Sequence, residues 1–140
     1  MAKIGTIKYI VIHCTATPEG KDFTVADVDR WHRANGWSGI GYHYLIYRDG
    51  TIHPGRAENV VGAHCYGYNK NSLGVCYVGG CTAAGGTPKD TRTDAQKAAL
   101  LTLLRKLHNK YPAAKIVGHH TLNSGKACPS FDATKEYANL

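Results

Sequence analysis

The run IKYIVIH, Ile7–His13, limits what this chain can fold into more than any other stretch. It is almost continuously apolar and rich in β-branched residues. A strand with one solvated face alternates apolar and polar residues; a strand covered on both faces does not. Ile7–His13 therefore reads as a central strand between two layers, and it ends on a histidine.

The covering layers are legible downstream. TVADVDRWHRANG predicts a helix with Thr24 as N-cap, Asp27 three residues on and Gly36 past its end. Val25, Val28 and Trp31 fall on one face of it. TDAQKAALLTLLRKLHNKYP predicts the longest helix, with Thr93 and Gln96 as a capping box and Pro112 after the end. Its core stripe is Ala99, Leu100, Leu103, Leu104 and Leu107. Tyr42–Tyr47 reads as a strand that turns at Asp49-Gly50 into a return strand stopped by Pro54. Ser72–Gly80 reads as another strand, AKIVGH as a short last strand, and the tail after Phe131 as a short helix. The expected fold class is α/β: a single domain over residues 1–140, with a small mixed β-sheet and helices packed on its faces. The pattern leaves the strand order open.

The chain has 140 residues, which suits one domain, and no apolar run approaches the roughly 18 residues of a membrane span. The opening MAKIGTIKYIVIHC reads as a first strand and not a signal peptide, so synthesis in the cytoplasm is expected. Five cysteines (Cys14, Cys65, Cys76, Cys81 and Cys128) are odd in number, irregular in spacing and free of any CxxC, which predicts reduced thiols. A formal net charge of +7 fits a polyanionic partner. The basic residues are scattered and no nucleic-acid motif is present, so nucleic acid is not expected.

Chemistry concentrates at strand ends. His13 closes the first strand, His119 and His120 close the last, and Cys128 follows on the loop GHHTLNSGKACPSFD. Two imidazoles and one thiolate favour Zn²⁺, and three protein ligands leave a fourth position open, as in catalytic zinc sites. Strand alternation would send His119 and His120 to opposite faces, so only one of them serves.

Four segments, IVIHCTAT, WHRANGWSGIGYHYLIYRDGTIHPGR, VGAHCYGYNKNSLGVCYVGG and VGHHTLNSGKACPSFD, occur in this order over nearly the whole chain. Together they closely resemble the type-2 N-acetylmuramoyl-L-alanine amidases, a group that includes small phage lysozyme-amidases and is related to animal peptidoglycan recognition proteins. The resemblance implies a single catalytic zinc held by His13, Cys128 and a histidine after a small residue, which selects His119. Cys128 lies nine positions beyond His119, one more than in close relatives, and Gly125 can absorb the difference; His120 keeps the shorter spacing and is the alternative.

The same resemblance makes Tyr42 and Lys126 catalytic. It also puts His64, Asn71 and His43 in motifs that can line a substrate groove, His64 most strongly. Arg56 is a candidate partner for a substrate carboxylate, while His32 reads as an ordinary helix-end residue and Trp37 as rim or packing. A phenol with a pKa near 10 is a poor base at neutral pH, so Tyr42 is expected to orient water or carbonyl by hydrogen bond. The implied reaction is hydrolysis of the amide between N-acetylmuramic acid and the L-alanine of the stem peptide. The implied setting is a monomeric phage or prophage endolysin, or a bacterial wall-remodelling enzyme, that reaches peptidoglycan after release. The alternative is a module that binds peptidoglycan without cutting it; such relatives typically lack the zinc cysteine.

Overall fold

A computed structural model describes residues 2–140. In chain order the elements are β1 (Tyr9–Cys14), β2 (Thr17–Pro18), α1 (Val25–Ala34), β3 (Tyr44–Ile46), β4 (Ile52–Pro54), β5 (Ser72–Tyr77), β6 (Gly80–Cys81), α2 (Asp94–Lys110), β7 (Lys115–Gly118), α3 (His119–Leu122) and α4 (Ala133–Glu136). The main sheet runs β4-β3-β5-β1-β7, and β2 pairs with β6 beside it. β1 lies parallel to both β5 and β7, β3 lies parallel to β5, and β4 is antiparallel to β3. The mixed α/β domain expected from the sequence is present, and the apolar run of β1 sits inside the sheet.

Alternation along β1 divides the molecule into two packing layers. Ile10 and Ile12 join Leu73, Val75, Tyr77 and the α2 leucines Leu100, Leu103, Leu104 and Leu107 in the larger core. On the other face, Val28 of α1 packs with Leu45, Cys76 and Val78. Val11 and Val117 form a third cluster there with Cys65. His13 lies in register with Cys76, and Cys76 with Leu45, so it belongs to the α1 face. α1 and the 60s loop cover that face from two sides.

Both capping boxes form as the sequence predicts, Thr24 with Asp27 and Thr93 with Gln96. Gln96 does more than close the cap. It is fully buried; its Oε1 accepts from Thr93 N, and its Nε2 donates to Val78 O at 3.0 Å and Ile46 O at 3.3 Å. One side chain thus ties the start of α2 to carbonyls at the ends of two neighbouring strands.

Three strands are shorter than predicted, each for a visible reason. The Tyr42–Tyr47 strand begins only at Tyr44, because Gly74 N–H donates to the His43 ring Nδ1 at 3.0 Å instead of to a backbone carbonyl. Ser72–Gly80 ends at Tyr77: Gly79 and Gly80 adopt φ of 132° and 103°, and the chain turns off to pair with β2. The last strand stops at Gly118, and His119 opens a helical turn.

Gln96→Leu is expected to leave Val78 O and Thr93 N without their partners and to cost about 1–3 kcal/mol, read as a lower urea midpoint with α2 otherwise intact. An unchanged midpoint would show that the stitch contributes nothing.

Candidate metal centre and cleft

β1 and β7 are adjacent and parallel, so the residues that end them emerge side by side. His13 ends one and His119 follows the other, with ring centroids 4.5 Å apart. The loop after α3 returns Cys128 to the same point: His120 N donates to Cys128 O, Tyr77 Oη to Pro129 O, and Ser130 Oγ to Gly80 O. Cys128 Sγ accepts from Cys14 N at 3.1 Å and lies 3.7 Å from His13 Nδ1. Donor atoms of His13, His119 and Cys128 all lie within 4.8 Å of one another, the single convergent His/Cys/Asp/Glu group of this kind among the described residues. Zinc bonds of about 2.0–2.3 Å place donors roughly 3.3–3.8 Å apart, so this donor set fits one ion after a small contraction.

The two histidines are separated by a helical turn and not by strand alternation. His119 faces His13, whereas His120 Nδ1 lies 3.3 Å from Cys128 O, and a Cβ on Gly118 would sit 2.9 Å from the His120 ring. His120 is thereby spent on the loop.

A cleft of about 500 Å³ opens over the cluster. Tyr42 and Lys126 both line it, as expected from the sequence. The Tyr42 ring lies 5.1 Å from that of His13, and the exposed Lys126 ammonium acts electrostatically on His119. His64 also lines it, but its ring is engaged inward: Nδ1 is 2.9 Å from His13 Nε2 and Nε2 is 3.3 Å from Ser72 Oγ.

Asn71 and His43 are not in the cleft wall. Asn71 precedes β5, at the far end of the sheet from His13, and donates to Thr6 O at 2.9 Å. His43 is buried, with its Nε2 on Val60 O and its Nδ1 on Gly74 N. Arg56 is likewise committed, donating to Ile40 O and Val61 O. The asparagine that does shape the site is Asn69, whose Oδ1 accepts from both His64 N and Cys65 N.

His32 reads from the sequence as a helix-end residue, yet it lines the cleft, accepts from Gly41 N through Nδ1, and packs edge-on to Trp37 and tilted against Tyr42. The W-H…G-W pattern was the available signal: α1 ends beside the cleft and carries both rings there. Trp37, 44% exposed, forms the rim.

The electrostatics favour neutral nitrogen donors. Burial, then the neighbouring His64 and His119, push His13 well below its ordinary pKa. Burial lowers His119 as well, with Lys126 adding to it, and takes His64 to about 3. Proximity to the Cys14 thiol and burial push Cys128 up, against the pull of the Cys14 N–H donated to its Sγ. A divalent cation takes neutral imidazoles as they stand and offsets the cost of ionising the buried thiol. Burial raises the Tyr42 phenol well above its ordinary value, which leaves it a hydrogen-bond donor at neutral pH.

Two histidines and a cysteine brought together at parallel strand ends under an open cleft form a cluster suited to one metal ion. The chain belongs to the N-acetylmuramoyl-L-alanine amidase family, whose profile matches residues 3–131. It is 46% identical over 137 residues to the endolysin of Klebsiella phage KP32, covering 94% of this chain and 89% of that protein. Among solved structures it is similar to the N-acetylmuramoyl-L-alanine amidase LysC from Clostridium intestinale URNW, at 33% identity and a TM-score of 0.80, covering 94% of this chain and 82% of that one. It is also similar to wild-type Drosophila PGRP-LB, at 27% identity and a TM-score of 0.80, covering 99% and 84%. All five cysteines are free thiols, and no helix among the described residues is long and apolar enough to cross a membrane.

Buried neutral histidines make the metal-free fold acid-sensitive. The folded state holds His64 at about 3, and the unfolded chain protonates it near 6.5. The unfolded state therefore binds more protons across that window, and stability falls as pH drops through it. Between pH 7 and 4.5, His64 alone should remove about 2 kcal/mol, measured as a falling urea midpoint of the chelated protein. A midpoint flat over that range would contradict it.

Proposed function

We propose that this protein is a zinc-dependent amidase that cleaves the bond between N-acetylmuramic acid and the L-alanine of the peptidoglycan stem peptide, in an endolysin or wall-remodelling role. The observation that carries the reading is the convergence of His13, His119 and Cys128 beneath a cleft that also contains Tyr42 and Lys126. His13, His119 and Cys128 would hold the ion, and their open side faces the cleft. Zinc bound there supplies Lewis-acid activation of the attacking water and the scissile carbonyl.

The remaining roles belong to side chains. Tyr42, a neutral phenol beside His13, donates a hydrogen bond that orients the water or the carbonyl oxygen. Lys126, which lines the cleft, would stabilise the negative charge that develops on that oxygen as the tetrahedral centre forms. Trp37 and His32 offer aromatic faces at the rim for the sugar or the peptide. The net charge of +7 aids adhesion to anionic wall polymers.

Incubation with purified muropeptides should release a free stem peptide with an L-alanine amino terminus, seen by mass spectrometry, lost on chelation and restored by zinc. Zinc binding with no cut in muropeptides or polymeric wall would favour recognition without catalysis. Cys128→Ser should abolish both stoichiometric zinc retention and cleavage; unchanged activity would sink the metal assignment. Lys126→Ala should keep zinc and fold but lower kcat about a hundredfold, the cost of losing roughly 3 kcal/mol of oxyanion stabilisation. An unaltered kcat would remove Lys126 from the reaction.

A further inference from the structure

We propose that His64 is a positioning residue: a one-way hydrogen-bond chain from the Tyr68 carbonyl through Ser72 and His64 fixes which nitrogen of His13 carries its proton. The inference rests on His13 being a metal ligand. It moves His64 out of the substrate-binding role expected from its motif.

The direction of the chain follows from its far end. A backbone carbonyl can only accept, so the Ser72 hydroxyl, 2.8 Å from Tyr68 O, spends its proton there. Ser72 Oγ is left as an acceptor, and His64 Nε2 at 3.3 Å supplies the N–H. A neutral imidazole protonated on Nε2 has a bare Nδ1. That Nδ1 lies 2.9 Å from His13 Nε2, which must then be the protonated nitrogen. His13 Nδ1 is left with its lone pair on the side of Cys128 Sγ, 3.7 Å away. No alternative proton arrangement of two neutral rings satisfies all three contacts.

The surroundings hold this chain in place. Ser72 is fully buried, His13 is 1% exposed and His64 9%, so water does not compete for the contacts. The His64 ring lies in a slot cleared by two glycines: a Cβ on Gly74 would sit 2.7 Å from its Cγ, and one on Gly62 2.6 Å from its Cδ2. Asn69 Oδ1 clamps the His64 backbone N–H at 2.9 Å. Sequence cost is high for a residue that touches neither cleft water nor substrate through a free nitrogen, and orientation of His13 is what these contacts achieve. Partners that orient a metal-bound imidazole typically change metal affinity by 10–100-fold when removed.

The test measures zinc affinity by chelator competition and the His13 ring by ¹⁵N NMR of the zinc-free protein, in wild type, Ser72→Ala, His64→Leu and His64→Asn. Wild type should show His13 as a single Nε2–H form whose proton exchanges slowly with water. Ser72→Ala removes one oxygen two contacts away from the ion; it should weaken zinc about tenfold and speed exchange of the His13 Nε2 proton. His64→Leu should weaken zinc further. His64→Asn, whose Oδ1 can stand in for Nδ1 as acceptor, should recover part of that loss. Ser72→Ala and His64→Leu proteins that stay folded, with wild-type zinc affinity and a wild-type His13 signature, would overturn the proposal. Failure of the metal reading looks different: wild type would bind no zinc, or Cys128→Ser would bind it equally well.

Discussion

Everything in this structure depends on β1 being the strand that two others flank in parallel. Covered on both faces and paired on both edges, it has no freedom to slide: a one-residue slip would drive His13 into the leucine core and Ile12 into the cleft. The same constraint fixes where β7 ends, and therefore where the helical turn of His119 begins. Cys14, the next residue, points the other way, but its backbone N–H reaches Cys128 Sγ. The donor cluster is thus a by-product of strand register, held by main chain from three directions.

The two faces of the sheet do different work. The α2 face is a continuous apolar layer, sealed by Ala133 of α4 and by Tyr137 just past its end. The α1 face is interrupted by polar rings: His13, His43 and His64 take positions that aliphatic side chains would otherwise fill. Each is buried and each finds partners for its nitrogens, so the desolvation cost is offset locally. The glycines at 62 and 74 belong to the same economy of space, because rings can stack on bare backbone where a Cβ would collide.

Much of this was legible in the sequence, for identifiable reasons. Both long helices announced themselves through capping boxes, and β1 through its unbroken apolar run. His13 and His119 sit at element ends, Tyr42 just before β3, and Lys126 and Cys128 on the loop after α3, and all five meet at one cleft. What the sequence could not convey was interaction between segments. The β4-β3-β5-β1-β7 order is set by crossovers and not by pattern. Asn71 and Asn69 look equivalent in YNKNS, yet the turn aims one at Thr6 and the other at the His64 loop. His43 alternates with Tyr42 and turns away from the cleft, but nothing local shows that its ring takes the place of a strand hydrogen bond. His119 and His120 were separated for the wrong reason, since nothing in AKIVGHH marks where strand gives way to helix.

The donors also sit far apart along the chain: His13 and Cys128 are 115 positions from each other. At roughly 5–20 residues per second, a ribosome needs about 6–25 s to travel from one to the other. β5 follows within that interval, but β7 and His119 appear only at its end, so for most of it the first strand lacks one flanking partner and the cluster has a single donor. A nascent or C-terminally clipped chain therefore carries the cleft aromatics without the centre beneath them. The fold acts as its own timer, joining the first strand to the last loop only once Cys128 has been made.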